Sequence, residues 1–100
     1  MADLLLTLIV PTDIAQHVED LILSRPDLVR GFTTSPADGH GSVVTLTGAD
    51  ELVGGHAPRM LIRTAGPEDL IRSLMATVKD AFPRANLYYW LVPLLDRGQL

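Results

Sequence analysis

The chain has 100 residues, 47% of them hydrophobic, and a formal net charge of −4. That length accommodates one core, so residues 1–100 read as a single domain. The basic residues are scattered rather than set in a stripe, which excludes nucleic acid as an expected partner. With no cysteine there is no disulfide, thiolate nucleophile or thiolate metal site. The longest apolar run, Leu87 to Leu95, contains Pro93 and is far shorter than the roughly 20 residues of a membrane helix. Met1-Ala2-Asp3-Leu4 lacks the basic start of a secretory signal. The expectation is a cytoplasmic protein without membrane insertion.

Leu4-Leu5-Leu6-Thr7-Leu8-Ile9-Val10, ended by Pro11, predicts a strand buried on both faces. Asp13 with Gln16 in capping-box relation predicts a helix carrying Ile14, Val18, Leu21 and Ile22 on one face, closed at Arg25-Pro26. Leu28 to Ser35 reads as the second strand, with Gly31 as a bulge or a close backbone approach. A long segment follows, from about residue 36 to 58. Within it, residues 42–47 have strand propensity and residues 47–53 suit a single helical turn. Compact domains seldom carry such a connection without a use for it.

Arg59 to Thr64 predicts the third strand. Gly66-Pro67 opens a second helix, with proline at the first helical position and Leu70, Ile71, Leu74, Met75, Val78, Ala81 and Phe82 on one arc. Pro83 ends it, and Leu87 to Val92 is the last strand. The order β-α-β-β-α-β implies an α+β, ferredoxin-like fold, a four-stranded antiparallel sheet with both helices on one face. The first and last strands are apolar on both sides, so the bare face of that sheet is expected to pack against further copies of the chain.

Leu5-Leu6-Thr7-Leu8-Ile9-Val10-Pro11, Gly31-Phe32-Thr33, Gly39-His40-Gly41-Ser42 and Tyr89-Trp90-Leu91-Val92-Pro93, in that order, resemble the PII-like superfamily. More narrowly, they resemble an uncharacterised bacterial branch of it, of unknown function and associated with heavy-metal efflux neighbourhoods. The resemblance implies a homotrimeric signalling protein whose segment 36–58 corresponds to the T-loop. It implies ligand clefts between subunits at the base of that loop, and a transporter or other protein target engaged through it. Adenine nucleotides are the ligands it suggests. However, Phe82-Pro83-Arg84-Ala85-Asn86 holds neither glycine nor lysine where PII proteins keep a phosphate loop, so the usual phosphate cradle is not expected.

Candidate ligand-binding residues for such a cleft are Gly31, Phe32 and Thr33, through their backbone, and Gly39, His40 and Gly41 at the start of the long segment. Arg59, Arg84 and Arg97 form a candidate anion-binding rim, with ordinary solvated charges as the alternative. Arg63 and Arg72 fit that alternative better. A second reading is a metal-binding or metal-sensing trimer similar to the CutA-like proteins, with His40, His56 and Asp38 as nitrogen and oxygen ligands for a divalent metal. His17 reads as a boundary residue of the first helix. Tyr88, Tyr89 and Trp90 alternate across the last strand and fit a trimer core with polar tips at its rim better than an aromatic stacking site. No nucleophile stands with a base and an orienting group, so the chain is not expected to be an enzyme.

Overall fold

Strand β1 (Asp3–Pro11) lies between two antiparallel neighbours, β3 (Ala57–Pro67) and β4 (Tyr88–Leu94), and β2 (Thr33–Gly39) pairs with the outer side of β3. The computed structural model describes residues 2–40 and 57–100. Helices α1 (Thr12–Leu23) and α2 (Glu68–Ala81) complete the βαββαβ order, and the sheet runs β2-β3-β1-β4. The expected ferredoxin-like architecture is therefore present. Residues 41–56, which include the segments expected as strand and helical turn, lie outside the described residues.

The core follows from the period of the strands. Leu4, Leu6, Leu8 and Val10 of β1 are buried in one cluster with Ile62 of β3, with Ala15, Val18 and Ile22 of α1, and with Ile71, Leu74 and Val78 of α2. Each is at most 8% exposed, so the helix-facing side of the sheet is closed. The alternate positions, Leu5, Thr7 and Ile9, point to the opposite face. The register sets them beside Ala65, Arg63 and Leu61 on one flank and Val92, Trp90 and Tyr88 on the other. No described element covers this second face, where Trp90 is 58% and Val92 44% exposed.

Helix starts differ from the expected capping. Pro11 (φ −55°, ψ 137°) precedes α1, and no side chain caps the helix. Gln16 does not reach back to the start; its Nε2 donates to Asp20 Oδ1 one turn further on, at 2.9 Å. The extended backbone at Pro11 carries β1 straight into the helix, leaving no residue free to act as an Asx or Ser cap. Pro67 likewise precedes α2 instead of occupying its first position, and the Glu68 N–H donates to the Ala2 carbonyl at 3.2 Å.

Strand ends also move. Leu28 and Val29 are both buried, in a turn where each N–H donates to the Arg25 carbonyl. Adjacent residues cannot both face the core from a strand, so β2 begins only at Thr33. Gly31 lies ahead of that strand rather than in a bulge. In the other direction β2 extends to Gly39 and β3 starts at Ala57, so both ends of the long connection are paired strand. Pro93 is tolerated within β4 because an edge strand needs only one of its sides for pairing.

Candidate functional site

Arg59 is the chemically notable residue of the sheet. It lies on β3 opposite Pro11, is only 7% exposed, and donates from Nη1 to the Pro58 carbonyl at 2.8 Å. A guanidinium keeps its charge when buried and has five N–H donors, so it can serve several acceptors in one plane. Two grooves meet at it. One, of about 440 Å³, runs over the uncovered face between the end of β2 and β4, and includes Ile9, Leu61, Tyr88, Trp90, Asp38 and His40. The other, of about 540 Å³, lies between the start of α1 and the turn after α2, and includes Pro11, Asp13, Ile14 and Arg84.

The turn after α2 is closed on itself. Ala85 N–H donates to the Phe82 carbonyl at 3.1 Å, with Pro83 between them. Proline suits the second position of such a turn and has no N–H of its own. Two of the backbone donors that a glycine nest would offer to a phosphate are thus missing or engaged. Phosphate binding here would depend on Arg59 and Arg84 rather than on backbone.

The candidate residues do not form one cluster within a chain. Gly39, His40 and Arg59 line the first groove, and Arg59 and Arg84 line the second. Gly31, Phe32 and Thr33 line a separate shallow groove with Leu5 and Arg63. Thr33 pairs with Arg63, which stands two pleats along β3 from Arg59, a distance of about 13 Å. Arg97 is farther still. Its Nε donates to Asp3 Oδ2 at 2.8 Å, at the end of β1 opposite Pro11, and the nine-residue strand separates the two ends. That separation is about 27 Å at the usual strand rise. Arg97 can join Arg59 only across a contact between two copies of the chain.

Gly41 and His56 lie outside the described residues. Asp38 and His40 share the first groove, but among the described residues no group of three or more His, Asp or Glu side chains could hold a metal ion. His17 is exposed on α1. Arg63 donates to Ser35 Oγ at 3.3 Å, and Arg72 pairs with Glu68 at 2.8 Å across one helical turn, so both are engaged in surface structure. Sequence reasoning did not assign Ile9, Leu61, Pro11 or Ile14 to a site. The β-sheet register places Ile9, Leu61 and Pro11 there and the start of α1 adds Ile14, and nothing local to those residues signals it.

The whole chain, residues 1–100, matches the family described as protein of unknown function (DUF3240). The chain belongs to that family. No curated protein matches the DUF3240 chain in sequence. Among solved structures it is similar to a DUF3240 family protein from Shewanella baltica OS155, at 18% identity and a TM-score of 0.80, covering 100% of this chain and 98% of that one. It is also similar to CPII, a nitrogen regulatory PII-like protein from Thiomonas intermedia K12 bound to ADP, AMP and bicarbonate. There the identity is 19% and the TM-score 0.70, covering 99% of this chain and 98% of that one. A putative PII-like signaling protein from Thermus thermophilus matches at 16% identity and a TM-score of 0.62, covering 94% of this chain and 91% of that one. The DUF3240 chain therefore has the PII-like fold. No helix of its described residues is long and apolar enough to cross a membrane.

Proposed function

We propose that this DUF3240 protein is a non-enzymatic regulator of the PII-like kind, which binds a small anionic ligand at the foot of its long connection and signals occupancy through that connection to a partner protein. The observation that carries this reading is the buried Arg59 guanidinium, shared by two grooves and placed where the connection re-enters the sheet. A ligand carboxylate, bicarbonate or phosphate held there would touch β3, the turn after α2 and the end of β2 together. Such a ligand alters the populations of the connection to the extent that it binds one arrangement more tightly than another.

The uncovered apolar face supports assembly of several copies, as a trimer on the PII-like pattern. Assembly also offers the only route by which Arg97 of one copy approaches Arg59 of another. The fold shared with CPII makes ADP, AMP and bicarbonate the first ligands to test. The partner proposed is a protein reached by the connection, with a transporter of the metal-efflux type as one candidate.

Isothermal titration of the full chain with bicarbonate, AMP and ADP tests the site. Binding that is weakened at least about tenfold by Arg59→Gln is the expected result, corresponding to loss of a charge-assisted contact. Equal affinity in wild type and variant would remove Arg59 from the site, and no binding of any of the three would overturn the reading.

A further inference from the structure

The helix layer stops short of one strand. Helices α1 and α2 pack on β1 and β3, and neither packs on the edge strand β4. Tyr89 of β4 stands opposite Leu8 of β1, whose side chain belongs to the core beneath the helices. Directly opposed residues share a face, so Tyr89 projects on the helix side of the sheet, away from Tyr88 and Trp90. The face assigned to packing between copies is the opposite one.

On this helix side a groove of about 480 Å³ runs between the last turns of α2 and the start of β4, within the range that holds small organic ligands. Leu8 is its floor, Met75 and Ala76 stand on one wall, and Leu87 and Tyr89 on the other. The turn from Phe82 joins the two walls and closes one end. Lys79 is the one charged side chain among the described residues that line it, and apart from the Tyr89 hydroxyl the other lining side chains are apolar.

We infer that this groove binds a small anionic amphiphile, an alkyl chain laid over Leu8 with a carboxylate head held by Lys79. The apolar lining favours a chain that carries no polar group needing a partner. An extended peptide would bring N–H and C=O groups into a channel that offers them few partners. From Met75 to Phe82 the wall covers two helical turns, about 10 Å at the usual rise, close to the length of an extended chain of roughly eight carbons. Met75 is unbranched and adapts its shape to such a chain. Lys79 carries its ammonium on a flexible four-carbon stem, which can follow the head group at the rim. This goes beyond the anion site at Arg59. Phe82, Pro83 and Ala85 line both this groove and that of Arg84, so the turn stands between the two.

The probes are butyrate, hexanoate, octanoate and octan-1-ol, titrated into the full chain labelled with carbon-13 at its methionine methyls. The chain has three methionines, and the Met75 signal is identified by its loss in Met75→Leu. Octanoate should shift that signal and leave in place the indole N–H of Trp90, the single tryptophan, on the opposite face. Affinity should rise about two- to fourfold with each methylene from butyrate to octanoate, the usual effect of burying a CH₂. Lys79→Met should weaken octanoate about two- to fivefold, as loss of one exposed ion pair does, and leave octan-1-ol unchanged. Ala76 is exposed on α2, so Ala76→Trp should fill the groove without unfolding the chain and abolish octanoate binding.

An affinity independent of chain length, a Met75 signal that stays still at saturation, or octanoate binding that survives Ala76→Trp would overturn the inference. A shifted Trp90 indole with an unmoved Met75 would also overturn it, by placing the chain on the other face. Equal effects of Lys79→Met on octanoate and octan-1-ol would remove Lys79 as the partner of the head group and overturn the anionic assignment. The chain-length series uses wild type alone and decides the question whether or not a variant folds.

Discussion

The Thr64 hydroxyl donates to the Gly31 carbonyl at 2.7 Å and ties the centre of β3 to the chain just before β2. Thr64 is itself only 5% exposed, so its hydroxyl has no comparable alternative. The bond sets where the turn ends and the edge strand begins, and so positions the Gly31–Thr33 groove relative to Arg63. Thr64→Val preserves the shape of the side chain and removes the donor. It should lower stability by about 1 kcal/mol, the usual net worth of one such bond. Urea denaturation of both forms measures it, with an unchanged slope expected.

Leu74 of α2 is fully buried against the sheet, whereas Leu23 at the end of α1 is 65% exposed. Leu74→Ala should cost about 2–5 kcal/mol through lost burial and the cavity left behind. Leu23→Ala should change stability by less than about 0.5 kcal/mol, as surface substitutions generally do. The two midpoints in one denaturant series separate core from surface.

Val92 stands on edge strand β4 at the uncovered face, beside Leu5 of the central β1, and is 44% exposed. A carboxylate there is easily solvated in an isolated chain but stranded in a packed interface. Val92→Glu should therefore leave the fold intact and lower the association constant of the assembly at least about tenfold. Sedimentation equilibrium with circular dichroism as a control reads both quantities. An unchanged mass distribution would show that the face is not the interface.

Asp27 accepts two hydrogen bonds from Arg25 at 3.0 Å, and that hydrogen bonding holds its carboxyl below the ordinary 3.8. A lowered folded-state pKa favours the native form above the unfolded value and ceases to do so as pH falls through the folded one. The pair should thus lose its contribution only in acid below pH about 3.8. The effect should be small because both groups are exposed, and Asp27→Asn should flatten it. Thermal midpoints of the two proteins between about pH 2 and 6 measure the difference.

The element order was legible because it depends on local periodicity. The run from Leu4 to Val10 has no polar face, and Ile71, Leu74 and Val78 repeat at helical spacing, so their partners need not be known. Boundaries were less legible. Leu28 and Val29 have strand propensity, but their burial in a turn is a matter of what packs above them. Proline before both helices supplied the entry geometry that a capping side chain usually provides, and neither sequence pattern distinguished the two solutions.

The candidate site divides along the same line. Arg59, His40 and Gly39 were named from the residues, and the structure brings them to one groove. Arg97 and the Gly31–Thr33 stretch were named with them, and the structure holds both elsewhere. Composition and spacing alone determined a ferredoxin-like chain with an uncovered apolar face and arginines near its long connection. Only tertiary structure decided that Arg59 is buried opposite Pro11, that Tyr88 and Trp90 wall the same groove, and that the Phe82–Ala85 turn is closed. The physical reason is that a residue's face follows from its own strand, whereas its neighbours across a sheet follow from register, which depends on the packing of the whole core.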